Sequence, residues 1–139
     1  MAILKMLVQN FGFLVSEAND WRSRDQVEVD ADGEEGGYLA PGSLLVAGAT
    51  AADPMVEWDG AATTVGGILA TGVALAPASV VRATAITRQA EVKGRDLLLN
   101  GEKLTDAQLA IATTALRALG IIVRTNEGIF IGNLPEQGV

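Results

Sequence analysis

The sequence predicts a mainly β domain with one principal α-helix, an α+β fold. One segment near the C-terminal end shows strong helical periodicity. Several shorter segments are β-branched or alternate between apolar and polar residues, and many of the 16 glycines fall between them. A chain of 139 residues is expected to form one domain. It can bury about two-thirds of its unfolded surface, so it needs neither disulfides nor a structural metal.

The N-terminal segment, Met1 to Phe11, is predicted to be either a helix or an extended arm. Its large apolar residues would share one face of a helix: Ile3, Leu4, Leu7, Val8 and Phe11. Such a segment is unfavourable when left in water. It is therefore expected either to fold onto its own core or to dock on a neighbouring chain, and the residues leave both alternatives open.

The middle of the chain is predicted to form short strands joined by turns. Gln26 to Asp30 alternates with period two, as a half-buried strand does. Further strands are predicted at Ser43–Ala47, Met55–Trp58, Gly67–Ala70, Val73–Leu75 and Val80–Arg88.

The loop that starts at Asp30 has a weak similarity to a calcium-binding loop. Its glycine is the fourth residue rather than the sixth, and the twelfth residue is Pro41 rather than glutamate. A solvated acidic turn is the interpretation that these departures favour.

The helix is predicted from Thr105 to Leu119. Thr105 and Gln108 have the spacing of a capping box. Leu109, Ala112, Leu116 and Leu119 then form an apolar stripe, and Gly120 suits the residue that ends the helix. Asn100–Gly101 predicts a tight turn just before the helix, and Ile121–Val123 a strand after it. Gly128–Ile131 predicts a last edge strand, followed by a tail from Pro135 to Val139.

The composition excludes several kinds of site. The chain has no cysteine and no histidine, which removes thiolate nucleophiles, thiolate zinc sites and the commonest general base. The net charge is −7, and the basic residues are scattered singly, so neither a nucleic acid nor an anionic membrane is expected as a partner. Gly60 to Val81 is uncharged, but its glycines, threonines and Pro77 favour buried short strands over a membrane-spanning helix.

No catalytic motif is present in the sequence. It contains no dinucleotide-binding or phosphate-binding glycine pattern and no Gly-x-Ser-x-Gly elbow. The carboxylate clusters, Glu34–Glu35 and Asp30 with Asp32, have no apolar neighbours that would raise a pKa. No cofactor, metal site or enzymatic activity is therefore expected.

The two tryptophans are candidate anchors for a partner or members of the core. Trp58 is expected in the core, whereas Trp21 stands between Asp20 and Arg22 and suits an interface as well. Arg22 and Arg24 suit either carboxylates on a partner or a solvated face.

Several segments, taken in order, resemble the lambda-type bacteriophage head decoration proteins. They are Phe13–Asn19, Arg22–Val27, Leu39–Leu44, Gly67–Leu69, Ala85–Val92 and Ala110–Arg124. The resemblance covers the chain from Phe13 to Arg124, whereas Thr125 to Val139 extends beyond the end of many members.

The resemblance implies a capsid cement protein with a compact β-clip-like body. It divides the chain into a capsid-binding arm (1–14), a decoration-protein body (15–124) and a C-terminal extension (125–139). Such proteins bind the major capsid protein as homotrimers at threefold and quasi-threefold positions of the expanded head. They stabilise the head against internal DNA pressure without direct contact with nucleic acid or a membrane.

The resemblance also implies where the protein acts and which residues make contact. The location would be the outer capsid surface of the virion, after assembly in the host cytoplasm. The expected capsid-contact residues are Ile3, Leu4, Leu7, Val8, Phe11, Phe13, Trp21 and Arg22. The alternatives are another trimeric virion or tail-associated structural protein, or a small trimeric β-rich nucleotide hydrolase.

Overall fold

The computed structural model describes residues 10–17, 22–33, 36–50 and 52–125. These residues form one α-helix, α1 (Asp106–Arg117), and a one-turn 3-10 helix (Gly94–Asp96). The strands are β1 (Leu14–Glu17), β2 (Arg24–Asp30), β3 (Gly37–Leu39), β4 (Leu44–Val46), β5 (Val56–Glu57), β6 (Gly67–Leu69), β7 (Val73–Leu75), β8 (Val80–Ile86), β9 (Ala90–Lys93), β10 (Leu98–Leu99), β11 (Glu102–Lys103) and β12 (Ile121–Arg124). The prediction of a mainly β fold with one principal helix is confirmed.

The largest sheet has five strands in the order β2-β8-β6-β4-β5. Its longest ladder joins β2 and β8 in antiparallel register, from Arg24 opposite Ile86 to Asp30 opposite Val80. The two ends of the sheet also meet, because Met55 bridges Val29 and its carbonyl accepts a 2.8 Å hydrogen bond from the Asp30 amide. The sheet is therefore curled until its first and last strands touch.

A second sheet has three strands in the order β1-β9-β12. β1 pairs with β9 in antiparallel orientation, with an irregularity between Leu14 and Ser16. β12 pairs with β9 in parallel orientation, starting at Ile121 opposite Ala90. A parallel neighbour requires a long crossover connection, and α1 lies within that connection. Two smaller ladders, β3 with β7 and β10 with β11, complete the described strands.

The helix forms as its sequence predicts. The Gln108 amide donates to the Thr105 hydroxyl over 3.2 Å, and the Thr105 amide donates to the Gln108 side chain over 3.0 Å. Ala112, Ala115 and Leu116 form its buried face. Gly120 has a φ of 80°, the left-handed conformation that ends a helix at glycine.

Two hydrophobic clusters lie on opposite faces of the five-stranded sheet. One contains Phe13, Trp58 and Leu116, and includes the buried side of α1 and of the three-stranded sheet. The other contains Val29, Leu45 and Ala83. Consecutive residues alternate between the clusters, as Leu44 and Leu45 in β4 do. Because both faces are covered, β4 and β6 are almost entirely apolar.

Other predictions have clear outcomes. Trp58 is a core residue, 1% exposed, and its indole N–H donates to the Ala62 carbonyl over 2.8 Å. Asn100 and Gly101 have φ values of 53° and 79°, as a two-residue hairpin turn between β10 and β11 requires.

β8 ends at Ile86 rather than at Arg88. The predicted strand Gly128–Ile131 lies outside the described residues.

The uncharged stretch 60–81 forms short strands, β6 and β7, as expected. Among the described residues, no helix combines the length and the apolar character needed to cross a membrane.

Candidate functional site

The predicted contact residues divide into two groups. Ile3, Leu4, Leu7, Val8 and Trp21 lie outside the described residues. Phe11, Phe13 and Arg22 are described, and they lie at the junction that leads into β1 and β2. The described part of the candidate site is therefore this junction together with the surface around it.

Phe13 belongs to the core of its own subunit. Its side chain is 1% exposed and packs in the same cluster as Trp58 and Leu116. Its carbonyl accepts a 2.7 Å hydrogen bond from the Lys93 amide, which extends the pairing of β1 with β9. A contact between the Phe13 side chain and a capsid protein would require this ring to leave the core.

Phe11 stands in a tight turn with the left-handed backbone conformation, at a φ of 60°. Its amide donates to the Ala70 carbonyl over 2.9 Å, and its carbonyl accepts from the Leu14 amide over 3.0 Å. Next to it, the Asn10 side-chain oxygen accepts a 3.1 Å hydrogen bond from the Gly72 amide. The chain is thus fastened to the β6–β7 connection immediately before it enters β1.

The ring of Phe11 lies under the guanidinium group of Arg24, with 4.4 Å between Cζ and the ring centroid. Arg24 also forms an ion pair with Glu17, with 3.0 Å from Nε to each carboxylate oxygen. The Ser23 hydroxyl donates to the same carboxylate. The hydrogen bond from Arg24 lowers the pKa of Glu17, with a smaller contribution from Ser23. The same bond raises the pKa of Arg24.

Arg22 is exposed, and its backbone carbonyl accepts a hydrogen bond from Arg88. Arg88 also pairs with Asp25, whose carboxylate accepts a 2.8 Å hydrogen bond from the Thr87 hydroxyl. These contacts hold the residues at the start of β2 against the residues that follow β8. Contact of Arg22 with a capsid protein remains a prediction.

The outer face of the three-stranded sheet carries two exposed aliphatic residues. Val15 in β1 is 49% exposed and Ile122 in β12 is 47% exposed. Glu91 stands opposite Ile122 in register and forms an ion pair with Arg124 at 3.1 Å. Within the described residues, β1 and β12 are the two edge strands of this sheet. Edge strands have backbone groups that can pair with another chain.

Asp30, the last residue of β2, and Asp32 both accept hydrogen bonds from backbone amides, whereas Glu34 and Glu35 lie outside the described residues. Asp30 accepts a 3.0 Å hydrogen bond from the Asp32 amide, and Asp32 accepts a 2.7 Å hydrogen bond from the Ala78 amide. Among the described residues, no group of three or more acidic side chains is arranged to hold a metal ion. Asp30 and Asp32 are both exposed.

Sequence reasoning missed the residues that shape the junction. Asn10, Glu17 and Ser23 have no motif of their own, and the pairing of Glu17 with Arg24 joins residues seven positions apart on two different sheets. The only available signal was the clustering of Ser23 and Arg24 beside the predicted strand.

Two comparisons relate the chain to known proteins. A family model described as bacteriophage lambda head decoration protein D matches residues 5–121. No curated protein sequence matches the chain. The matched region spans the junction, the five-stranded sheet and α1, and it ends at the first residue of β12.

Proposed function

Because the chain belongs to the bacteriophage lambda head decoration protein D family, we propose that it cements the expanded head by binding the major capsid protein as a trimer. The family is one of structural phage capsid proteins rather than enzymes, and it places the protein in the virion capsid. The match over residues 5–121 is the observation that carries the proposal. The threefold and quasi-threefold positions on the outer surface are the sites proposed for this chain.

The N-terminal segment is proposed as the capsid-binding arm. Its apolar residues Ile3, Leu4, Leu7 and Val8 would be buried against the capsid protein, which removes them from water. An extended segment can also add a strand to an exposed sheet edge of the capsid protein, with backbone hydrogen bonds providing affinity. The position of β1 at the edge of its sheet, directly after this segment, supports that arrangement.

The remaining surface contacts are proposed to involve Trp21 and Arg22. In sequence they precede Arg24, the first residue of β2, by three and two positions, and Trp21 itself lies outside the described residues. Aromatic and arginine side chains contribute most of the binding energy in many interfaces. For the body, a β-clip-like arrangement is the proposed description of the two sheets.

Stabilisation of the head requires only that the protein binds to it, and no chemical reaction. A protein bound to the expanded head at 100 times its dissociation constant stabilises that state by about 2.7 kcal/mol per site. Three arms on one trimer raise the effective concentration of each arm at its site. The net charge of −7 suits a protein that resists the pressure of packaged DNA without touching DNA.

The direct test mixes the purified protein with expanded, DNA-free heads. Binding is measured by sedimentation and by imaging of the decorated particles, and the heat resistance of decorated heads is compared with that of bare heads. The proposal predicts threefold density and a higher disruption temperature. Absence of binding, or unchanged heat resistance of the bound heads, contradicts it.

Deletion of residues 1–9 tests the arm separately. The described fold begins at Asn10, so the deletion removes none of the core residues found in it. We expect the truncated protein to show a cooperative melting transition and to lose its affinity for heads. Truncation of residues 126–139, which leaves β12 intact, is the matched control for loss of a terminal segment.

A further inference from the structure

The backbone of Phe11 is unusual for an aromatic residue. A φ of 60° places it in the left-handed region, which bulky side chains rarely adopt and which persists only where the surroundings determine it. Here both polar groups of its backbone form hydrogen bonds, the amide with the Ala70 carbonyl and the carbonyl with the Leu14 amide. The turn is therefore a structured feature of the junction.

The side chain of Phe11 is held as firmly as its backbone. It is half-buried and packs against the helix-side core, and the Arg24 guanidinium lies over its ring at 4.4 Å from the centroid. Arg24 in turn is fixed by the Glu17 carboxylate, which it meets with Nε and one terminal nitrogen. A planar guanidinium can stack on the ring and bind the carboxylate at its edge in the same geometry.

The neighbouring residue adds a second anchor. Asn10 binds the Gly72 amide, and Gly72 lies two residues after Ala70, which binds Phe11. Two consecutive residues of the junction are thus tied to one short connection between two strands whose side chains are largely buried.

We propose that the Asn10–Phe11 turn, held by Arg24, is a positioning device that fixes the direction in which residues 1–9 leave the body. Phe11 and Arg24 are then positioning residues for the N-terminal segment rather than residues that contact the capsid protein. This inference rests on the proposed function, because it assigns the device to the capsid-binding arm. A junction that is ordered before binding lowers the entropy cost of placing the arm on its site.

The inference can be tested on the free protein, without heads. The chain has no cysteine, so Gln9→Cys and Ala110→Cys introduce a single pair of nitroxide labels, one beside the junction and one on the exposed face of α1. Pulsed electron paramagnetic resonance then reports the distribution of distances between them. We expect a narrow distribution in the otherwise unsubstituted protein.

Three substitutions at the junction and one control variant separate positioning from folding. Arg24→Lys keeps the charge but loses the planar face, and Phe11→Gly keeps the left-handed backbone but loses the ring. Both are expected to broaden the distribution, whereas Phe11→Tyr should keep it narrow. Arg95→Met is the matched control, since it removes an exposed arginine whose ion pair, with Asp96, involves no residue of the junction. Thermal melting verifies that each variant is folded.

Binding to expanded heads supplies the second readout. Arg24→Lys is expected to weaken binding about tenfold. This factor corresponds to the entropy cost of ordering roughly one backbone residue, which the variant would incur on binding. Phe11→Tyr and Arg95→Met should bind like the unsubstituted protein. If the unsubstituted protein does not bind heads, the proposed function fails while the resonance measurement still tests the junction. A distribution equally broad in all variants, or a broadened variant that binds heads with full affinity, overturns the positioning role.

Discussion

The ring of Tyr38 occupies the space that a side chain at Gly72 would need. A Cβ atom added to Gly72 would overlap the Tyr38 hydroxyl and the adjoining ring carbons. Tyr38 lies in β3, which pairs with β7 directly after Gly72, and its side chain is 44% exposed. The absence of a side chain at Gly72 thus allows the ring to lie against the residue whose amide binds Asn10.

The first prediction concerns this contact. Gly72→Ala should destabilise the protein by about 1–3 kcal/mol, because the added methyl group must displace the ring or the backbone. The free energy of unfolding is measured by urea titration. In a Tyr38→Ala background the same substitution should cost much less, which gives a coupling between the two positions. An equal cost in both backgrounds would show that the ring is not the obstacle.

The helix cap provides the second prediction. Thr105→Ala removes the hydroxyl that accepts from the Gln108 amide and should cost about 1 kcal/mol of unfolding free energy. Thr114→Ala is the matched control on the exposed side of the same helix, and should change stability by no more than about 0.5 kcal/mol. The idea fails if the two substitutions have the same effect.

The third prediction compares two aliphatic residues on either side of Gly120. Leu116 is fully buried in the helix-side core, and Leu116→Ala should cost about 2–5 kcal/mol through lost burial and the remaining cavity. Ile122 is 47% exposed, and Ile122→Ala should cost about 0.5 kcal/mol or less. Chemical denaturation of both variants decides the point, and a large loss for Ile122→Ala would place that residue in a core.

The fourth prediction concerns pH. Arg24 and, to a smaller extent, Ser23 lower the pKa of Glu17 below its ordinary value of 4.5. Because the folded-state pKa is the lower one, the resulting stabilisation is fully present above about 4.5 and is lost as the pH falls through the folded-state value. Melting temperatures measured between neutral and acidic pH should therefore fall less steeply for Glu17→Gln than for the unsubstituted protein.

Arg24→Met serves as the reciprocal variant in that experiment. It removes the group that lowers the Glu17 pKa, so its melting temperature should also fall less steeply as the pH decreases. If Glu17→Gln leaves the slope unchanged, the ion pair does not contribute to the pH dependence of stability.

Local chemistry let the sequence alone determine several parts of this protein. The capping box at Thr105, the apolar stripe of α1 and the left-handed Gly120 depend on residues within one or two helical turns of one another. The Asn100–Gly101 turn follows from the conformations that those two residue types tolerate. The ordered set of short segments also identified the family that residues 5–121 match.

Only the tertiary structure decided which strands are neighbours and which side chains the junction joins. The short strands β1, β3 and β9 were not predicted, and short strands that were predicted, such as β6 and β7, carry too little alternation to reveal their partners. The parallel pairing of β12 with β9, the burial of Phe13 and the stacking of Arg24 on Phe11 all join positions that no local pattern connects. The physical reason is that packing against two shared cores, rather than the preference of any short segment, selects among the pairings that the backbone allows.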